Sequence, residues 1–174
     1  MDELHLLLQH LRKPEYVHVL LNPLPVYALA MGVLALGIAL LMRSRPAQVV
    51  ALIVVLVGSA SAYPVLRYGQ RGYDRVYAMS NSDAQLWLDQ HMHRAERFVF
   101  AFYLTGLLAV AALGALWKIP QAALPLAIAT ILIATVSIGI GGWISHAGGQ
   151  VRHSEFRSGP PPKADEHDHS EHHH

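Results

Sequence analysis

The sequence predicts an all-α integral membrane protein: a four-helix up-down bundle, with a short N-terminal interfacial helix and a disordered His-rich C-terminal tail. Three observations predict it. The 174 residues are 53% hydrophobic but only 14% charged, where water-soluble domains carry about 25%. The apolar residues gather into four runs, at 24–42, 47–66, 98–117 and 121–144. Each run is near the roughly 20 residues that cross a hydrocarbon core of about 30 Å. None of the four contains Asp, Glu, Lys or Arg, a purity that soluble core helices do not sustain.

Residues 1–21 read as an interfacial amphipathic segment. Leu4, Leu7, Leu8 and Leu11 recur at helical spacing, and Pro14 ends that piece, which is too short to span and suits the membrane surface. The acidic opening, Asp2 and Glu3, is unlike a cleavable signal peptide, so the first span is expected to remain as an anchor. Asn22-Pro23 reads as a helix start, with asparagine as cap and proline at the first helical position. Residues 22–156 then form the four-span bundle. Arg43-Ser44-Arg45-Pro46 and Lys118-Ile119-Pro120 are the tight turns at one end.

Pro64 is expected to kink or end the second span, and residues 67–82, with Tyr68, Tyr73, Tyr77 and several arginines, to form one long loop at the headgroup belt. Ser82-Asp83-Ala84-Gln85 matches a capping box. The third helix is therefore expected to start near Asp83, well before its apolar part. Small residues, Gly58 to Ala62 and Gly139 to Gly142, suit close helix packing in lipid. Residues 157–174 are polar and proline-rich, ending in His167, His169 and His172 to His174 among acids. That composition predicts disorder. The terminal histidines read equally as a loose metal-collecting tract or as an expression tag.

Several chemistries are excluded. With no cysteine, disulfides, iron–sulfur clusters, covalently attached haem and thiolate metal sites are out. Any metal must use imidazole, carboxylate or thioether ligands. A net charge of +1 without a basic patch gives no reason to invoke nucleic acid. No nucleophile triad, phosphate loop or dinucleotide fingerprint is present, so no catalytic residue is assigned and an enzymatic role is left open.

Four crossings with short turns put all twelve histidines and all twelve acids on one side, called side A here, with both termini. The opposite side, B, receives only Arg43, Arg45 and Lys118. His18 lies at the start of the first span, His91 and His93 before the third, and His146 and His153 after the fourth. In a bundle these ends lie within about 10 Å of one another. Glu15 and His18 are three apart and share a helix face, as do His93 and Glu96; Glu-x-x-His is the spacing by which di-iron bundles supply ligands. His91 and His93 are two apart, so at most one faces inward. The stripe of His91 continues through Ala95, Phe98, Phe102, Thr105 and Ala109, and that of His93 through Glu96, Phe100 and Leu107. His146 and His153 are seven apart, about 10 Å along a helix, and could share one ion only if Gly148-Gly149 broke the helix. The candidate cofactor-binding residues are therefore His18, His91, His93, His146 and His153, and the candidate metal ligands His18, His93, Glu96, His146, His153 and Glu15. A single histidine of this kind is more often a cap or surface residue; the convergence of three chain segments is what raises the set above that.

The segment His18-Val-Leu-Leu-Asn-Pro-Leu-Pro25-Val26 resembles the first-helix motif of the bacterial four-helix membrane family DUF2231, in which a histidine precedes a short apolar stretch and a proline. Gly141-Gly-Trp-Ile-Ser-His-Ala-Gly-Gly-Gln-Val-Arg-His153 resembles that family's closing motif, paired glycines followed by a histidine. The resemblance covers roughly residues 16–157. One departure is that the family often has a second histidine before a Phe-Pro, where this chain has Pro23-Leu24. The resemblance implies functional roles for His18, His146, Gly148, Gly149 and His153, with His91 or His93. Some members are joined to c-type cytochrome domains, which implies a redox partner at the outer face.

The function expected from this is binding of haem b or a transition metal ion (Fe, Cu or Zn) by histidines clustered at one bundle mouth, in electron transfer. For haem, His18 or His91/His93 against His146 would supply two imidazoles, and Phe98, Phe102 and Trp143 an apolar slot. The alternatives are a non-redox metal-binding, transport or sensing protein, or a structural subunit of a membrane complex. The expected setting is the bacterial inner membrane, in contact with the lipid bilayer and with a cytochrome or other redox protein. Side A carries ten Lys and Arg against three on side B, but side B is short, basic and free of acid, so side A is read as periplasmic.

Overall fold

A computed structural model describes residues 3–162, and every regular element among them is helical. The expected tract from His167 to His174 lies outside the described residues. Seven α-helices follow one another: α1 (Glu3–His10), α2 (Pro14–Leu21), α3 (Leu24–Leu41), α4 (Arg45–Ala78), α5 (Ser82–Phe98), α6 (Phe100–Lys118) and α7 (Pro120–Arg152). A single 3₁₀ turn, Ser154–Phe156, is the last regular element among the described residues.

The helices join into four segments long and apolar enough to cross a membrane: Pro14–Leu41, Arg45–Ala78, Ser82–Lys118 and Pro120–Arg152. Asn22 and Pro23 stay in the α-helical region, and Asn22 N–H reaches the His18 carbonyl. The Asn-Pro pair therefore only dents the helix. Proline at the first turn loses no bond that would otherwise form. Apolar side chains such as Met31, Leu34, Val57, Leu107, Leu132 and Val136 point outward, a surface suited to lipid.

One expectation about a helix end fails, and one condition for a shared ion is not met, for the same reason. The predicted loop at 67–82 is helical as far as Ala78, and Pro64 lies inside α4 without ending it. Gly148-Gly149 likewise leave α7 unbroken to Arg152. In both places the residues that look like breakers are contact points. Gly69 and Gly72 take α2 against α4, and Gly148 takes α5 against α7. Tertiary packing overrides weak local propensity. The cap of α5 is Asn81, whose Oδ1 accepts the Ala84 N–H at 2.9 Å, one residue before the expected Ser82. Past Phe156 the chain is still held where disorder was expected: Arg157 donates from Nε to the Gln150 carbonyl and from Nη2 to that of Val151.

α3 packs against α4 and α7, and α6 packs against the same two helices. The interior is built from small and branched residues, with Leu29, Leu36, Leu52, Val55, Ala109, Ala112 and Ala134 fully buried. Gly32 and Gly58 let α3 and α4 approach until a Cβ on either would meet backbone at about 3.0 Å. Thr105 and Ser137 share a buried hydrogen bond of 3.0 Å between α6 and α7.

The packing also contains a repeat. The short helix α2 continues into α3 and lies on α4; α5 continues into α6 and lies on α7. The contact of α4 with α6 answers that of α7 with α3. The two three-helix halves, α2–α4 and α5–α7, thus repeat one contact pattern, and α2 and α5 bring a histidine each to one end.

Candidate functional site: two buttressed histidines

His18 on α2 and His91 on α5 meet at that end. Their ring centres are 6.1 Å apart and their planes cross at 74°. Each ring is held in the same way by the long helix beneath it. His18 Nδ1 lies 2.9 Å from the Val65 carbonyl of α4. His91 Nδ1 lies 3.0 Å from the Ile144 carbonyl of α7. A carbonyl only accepts, so each Nδ1 carries a proton, which in a neutral ring leaves Nε2 its lone pair.

Glycine completes both seats. A Cβ at Gly69 would stand 3.0 Å from His18 Nδ1, and one at Gly148 would stand 3.0 Å from His91 Cε1. Both glycines lie four residues after the accepting carbonyl, so one helical turn offers acceptor and flat floor together. His91 is 8% exposed and His18 half-buried. The nitrogen that a buried imidazole leaves unpaired is the nitrogen available to a ligand.

The pair lines a cavity of about 710 Å³, within the usual size for a small-molecule or cofactor site. Its inner wall is apolar, with Pro25, Val26, Ala62, Val99 and Phe102 among the lining residues. Its outer rim is polar and includes Lys13 and Arg152, neither of which forms an ion pair among the described residues. Glu15 also borders it, with Oε1 on Arg75 Nε at 3.2 Å and Oε2 buried without a partner. At its border, Tyr73 of α4 donates a hydrogen bond to Asp89 of α5.

Of the candidate residues, the structure brings together His18 and His91. It buries His91, Phe102, Thr105 and Ala109 of one stripe, half-buries Ala95 and Phe98, and exposes His93, Glu96, Phe100 and Leu107. Glu96 accepts from Gln70. His146 faces away from the cavity, into a shallow cleft with Trp87, Gln90, Arg94 and Trp143. It therefore cannot stand opposite His18, the place expected for it. His153 borders the cavity but stacks on Phe156, with Nδ1 3.0 Å from Glu155. The Glu155 carboxyl is held below its usual range, first by a backbone N–H and then by His153. Phe98 and Trp143 pair with each other at 5.5 Å, outside the cavity, so of the three expected aromatics only Phe102 lines it. Among the described residues, no three His, Asp or Glu side chains converge as a set that could hold a metal ion. The candidate ligands Glu15, Glu96, His93, His146 and His153 do not assemble with His18.

Val65, Gly69 and Ile144 had no role in the sequence reading. Their signal is a spacing: Val65-Leu-Arg-Tyr-Gly69 and Ile144-Ser-His-Ala-Gly148 both place a β-branched residue one turn before a glycine where a long helix leaves its apolar run. No family model matches this chain, and neither does any curated protein or solved structure.

Proposed function

We propose that the protein is a multi-pass up-down bundle of the inner membrane that holds haem b between His18 and His91 and transfers electrons at side A. The observation that carries this reading is the His18–His91 pair. One metal bound by two imidazoles, with bonds of about 2 Å, puts the ring centres roughly 6 Å apart, against the observed 6.1 Å. The donor set also selects the group. Two imidazoles are too few for a structural zinc, which takes about four protein ligands. They suit an iron whose remaining four positions are filled by its own macrocycle.

The cavity has the matching polarity. Apolar residues line its membrane end, while Lys13 and Arg152, which form no ion pair among the described residues, border its rim, where the carboxylates of an amphipathic tetrapyrrole would lie. Bound haem supplies a one-electron couple. The chain's own work would be to hold the group with both His18 and His91, which would leave a substrate no open ligand position on it. Val65 and Ile144 hold the Nδ1 protons and so aim Nε2; Gly69 and Gly148 let the rings lie flat on their helices. This fits an electron carrier better than an enzyme. The DUF2231-like motifs and the short basic turns of side B favour a periplasmic mouth and a cytochrome-type partner.

The test is purification in detergent after haem-replete expression, with an absorbance spectrum and elemental analysis. A Soret band with sharp ferrous α and β bands is expected, lost in His18→Ala and in His91→Ala and retained in His93→Ala and His146→Ala. Stoichiometric zinc or copper without a Soret band would replace this reading with non-redox metal binding.

A further inference from the structure

We infer that the fold locks the two imidazoles in crossed planes, and that Gly69 and Gly148 are the positioning residues that do so. This rests on the haem reading above. The evidence is the way each ring takes its orientation. An imidazole on a helix can spin about its Cβ–Cγ bond, because terminal sp³–sp² torsions are broad. Here each ring is stopped twice. One hydrogen bond fixes the direction of Nδ1, at 2.9 Å for His18 and 3.0 Å for His91. One glycine floor fixes the face, since any Cβ there would press on the ring at about 3.0 Å. The two stops come from different helices, α4 for His18 and α7 for His91. Nothing ties one ring's orientation to the other's except the fold, and the fold sets 74°.

Crossed ligands have an electronic consequence. The filled π orbital of an imidazole raises the iron d orbital that lies in the same plane. Parallel rings raise one of the two dπ orbitals and separate the pair. Crossed rings raise both and leave them nearly degenerate. The ferric ion then keeps much of its orbital angular momentum, and its low-spin resonance becomes extremely anisotropic, with one dominant low-field feature. Parallel rings give an ordinary three-line rhombic spectrum. The crossing lies in the ligands, so it is readable without any turnover assay.

The experiment uses the full-length haem-loaded protein. Ferric electron paramagnetic resonance is recorded for the native chain, Gly148→Ala, Gly69→Ala and the control Gly142→Ala, whose Cβ would meet nothing within 4 Å. The native protein and the control are expected to show the single low-field feature. Each seat variant is expected to displace it towards the rhombic pattern or to lose haem on dilution. Where one seat variant fails to fold, the native spectrum still decides the crossed arrangement and the other seat variant the glycine's role. A native rhombic three-line spectrum with the Soret band intact overturns the crossed arrangement and leaves the haem reading standing. A native ferrous protein whose Soret band shifts under carbon monoxide overturns the locking, since a ring must then swing away. No Soret band at all overturns the haem reading and this inference with it.

Discussion

Gly58→Ala is the substitution that most directly probes how α3 and α4 are held. The added Cβ would lie 2.9 Å from Ala28 Cβ and 3.0 Å from the Leu29 backbone nitrogen. Neither neighbour can rotate away, because one is the first atom of a side chain and the other is main chain. The helices must part by a few tenths of an ångström, in a region where Leu29 and Val55 are fully buried. Overpacking of this kind costs about 1–3 kcal/mol. For a chain of this length each kcal/mol moves the melting temperature by roughly 2–4 °C, so a fall of several degrees is expected. Gly37→Ala is the matched control: it lies on the same helix pair, its Cβ meets nothing within 4 Å, and alanine is the better helix former by about 1 kcal/mol. Differential scanning fluorimetry in one detergent, following Trp87, Trp117 and Trp143, compares the two. Equal melting temperatures for Gly58→Ala and Gly37→Ala would refute close α3–α4 contact as a source of stability.

Other substitutions test the walls of the site. Arg75→Ala removes the partner of Glu15 and leaves a carboxylate with one buried, unpaired oxygen. Arg75 is 57% exposed, so screening limits the loss to about 1 kcal/mol. Glu15→Gln in the Arg75→Ala background should recover most of it by thermal melt. Asn81→Ala deletes the cap that bonds the Ala84 N–H, and a cost of about 1 kcal/mol is expected. Amide exchange should quicken in the first turn of α5 and stay unchanged in α7; uniform acceleration would contradict a local cap.

The four helices long and apolar enough to cross a membrane were legible because lipid leaves only one solution for long uncharged runs: a helix that satisfies its own backbone. The end of the second span was not. Arg67, Arg71 and Arg75 read as a headgroup loop, yet they are the outer face of a helix whose other face carries Gly69 and Gly72. Glycine reports backbone freedom to a reader of sequence, whereas here it reports a neighbour. The convergence of histidines at one end was readable from topology. Which of them meet was not, because a step of two residues, His91 to His93, turns a side chain to the opposite face. Phe102, Thr105 and Ala109 decide it, since their burial carries His91 inward. His146 illustrates the reverse case. It sits in the motif that resembles DUF2231, but its turn of α7 presents the Ile144 carbonyl to the cavity and the imidazole to the far side.

The account stands on His18 and His91 both being needed to hold the haem proposed for the cavity. Titrating the purified apoprotein with haem, with the ferric Soret band as readout, tests that directly. The native chain and His146→Ala should saturate at one haem per chain with a low-spin spectrum. His18→Ala and His91→Ala should each give a weakly held, high-spin form. Native-like binding by either single variant would contradict the account.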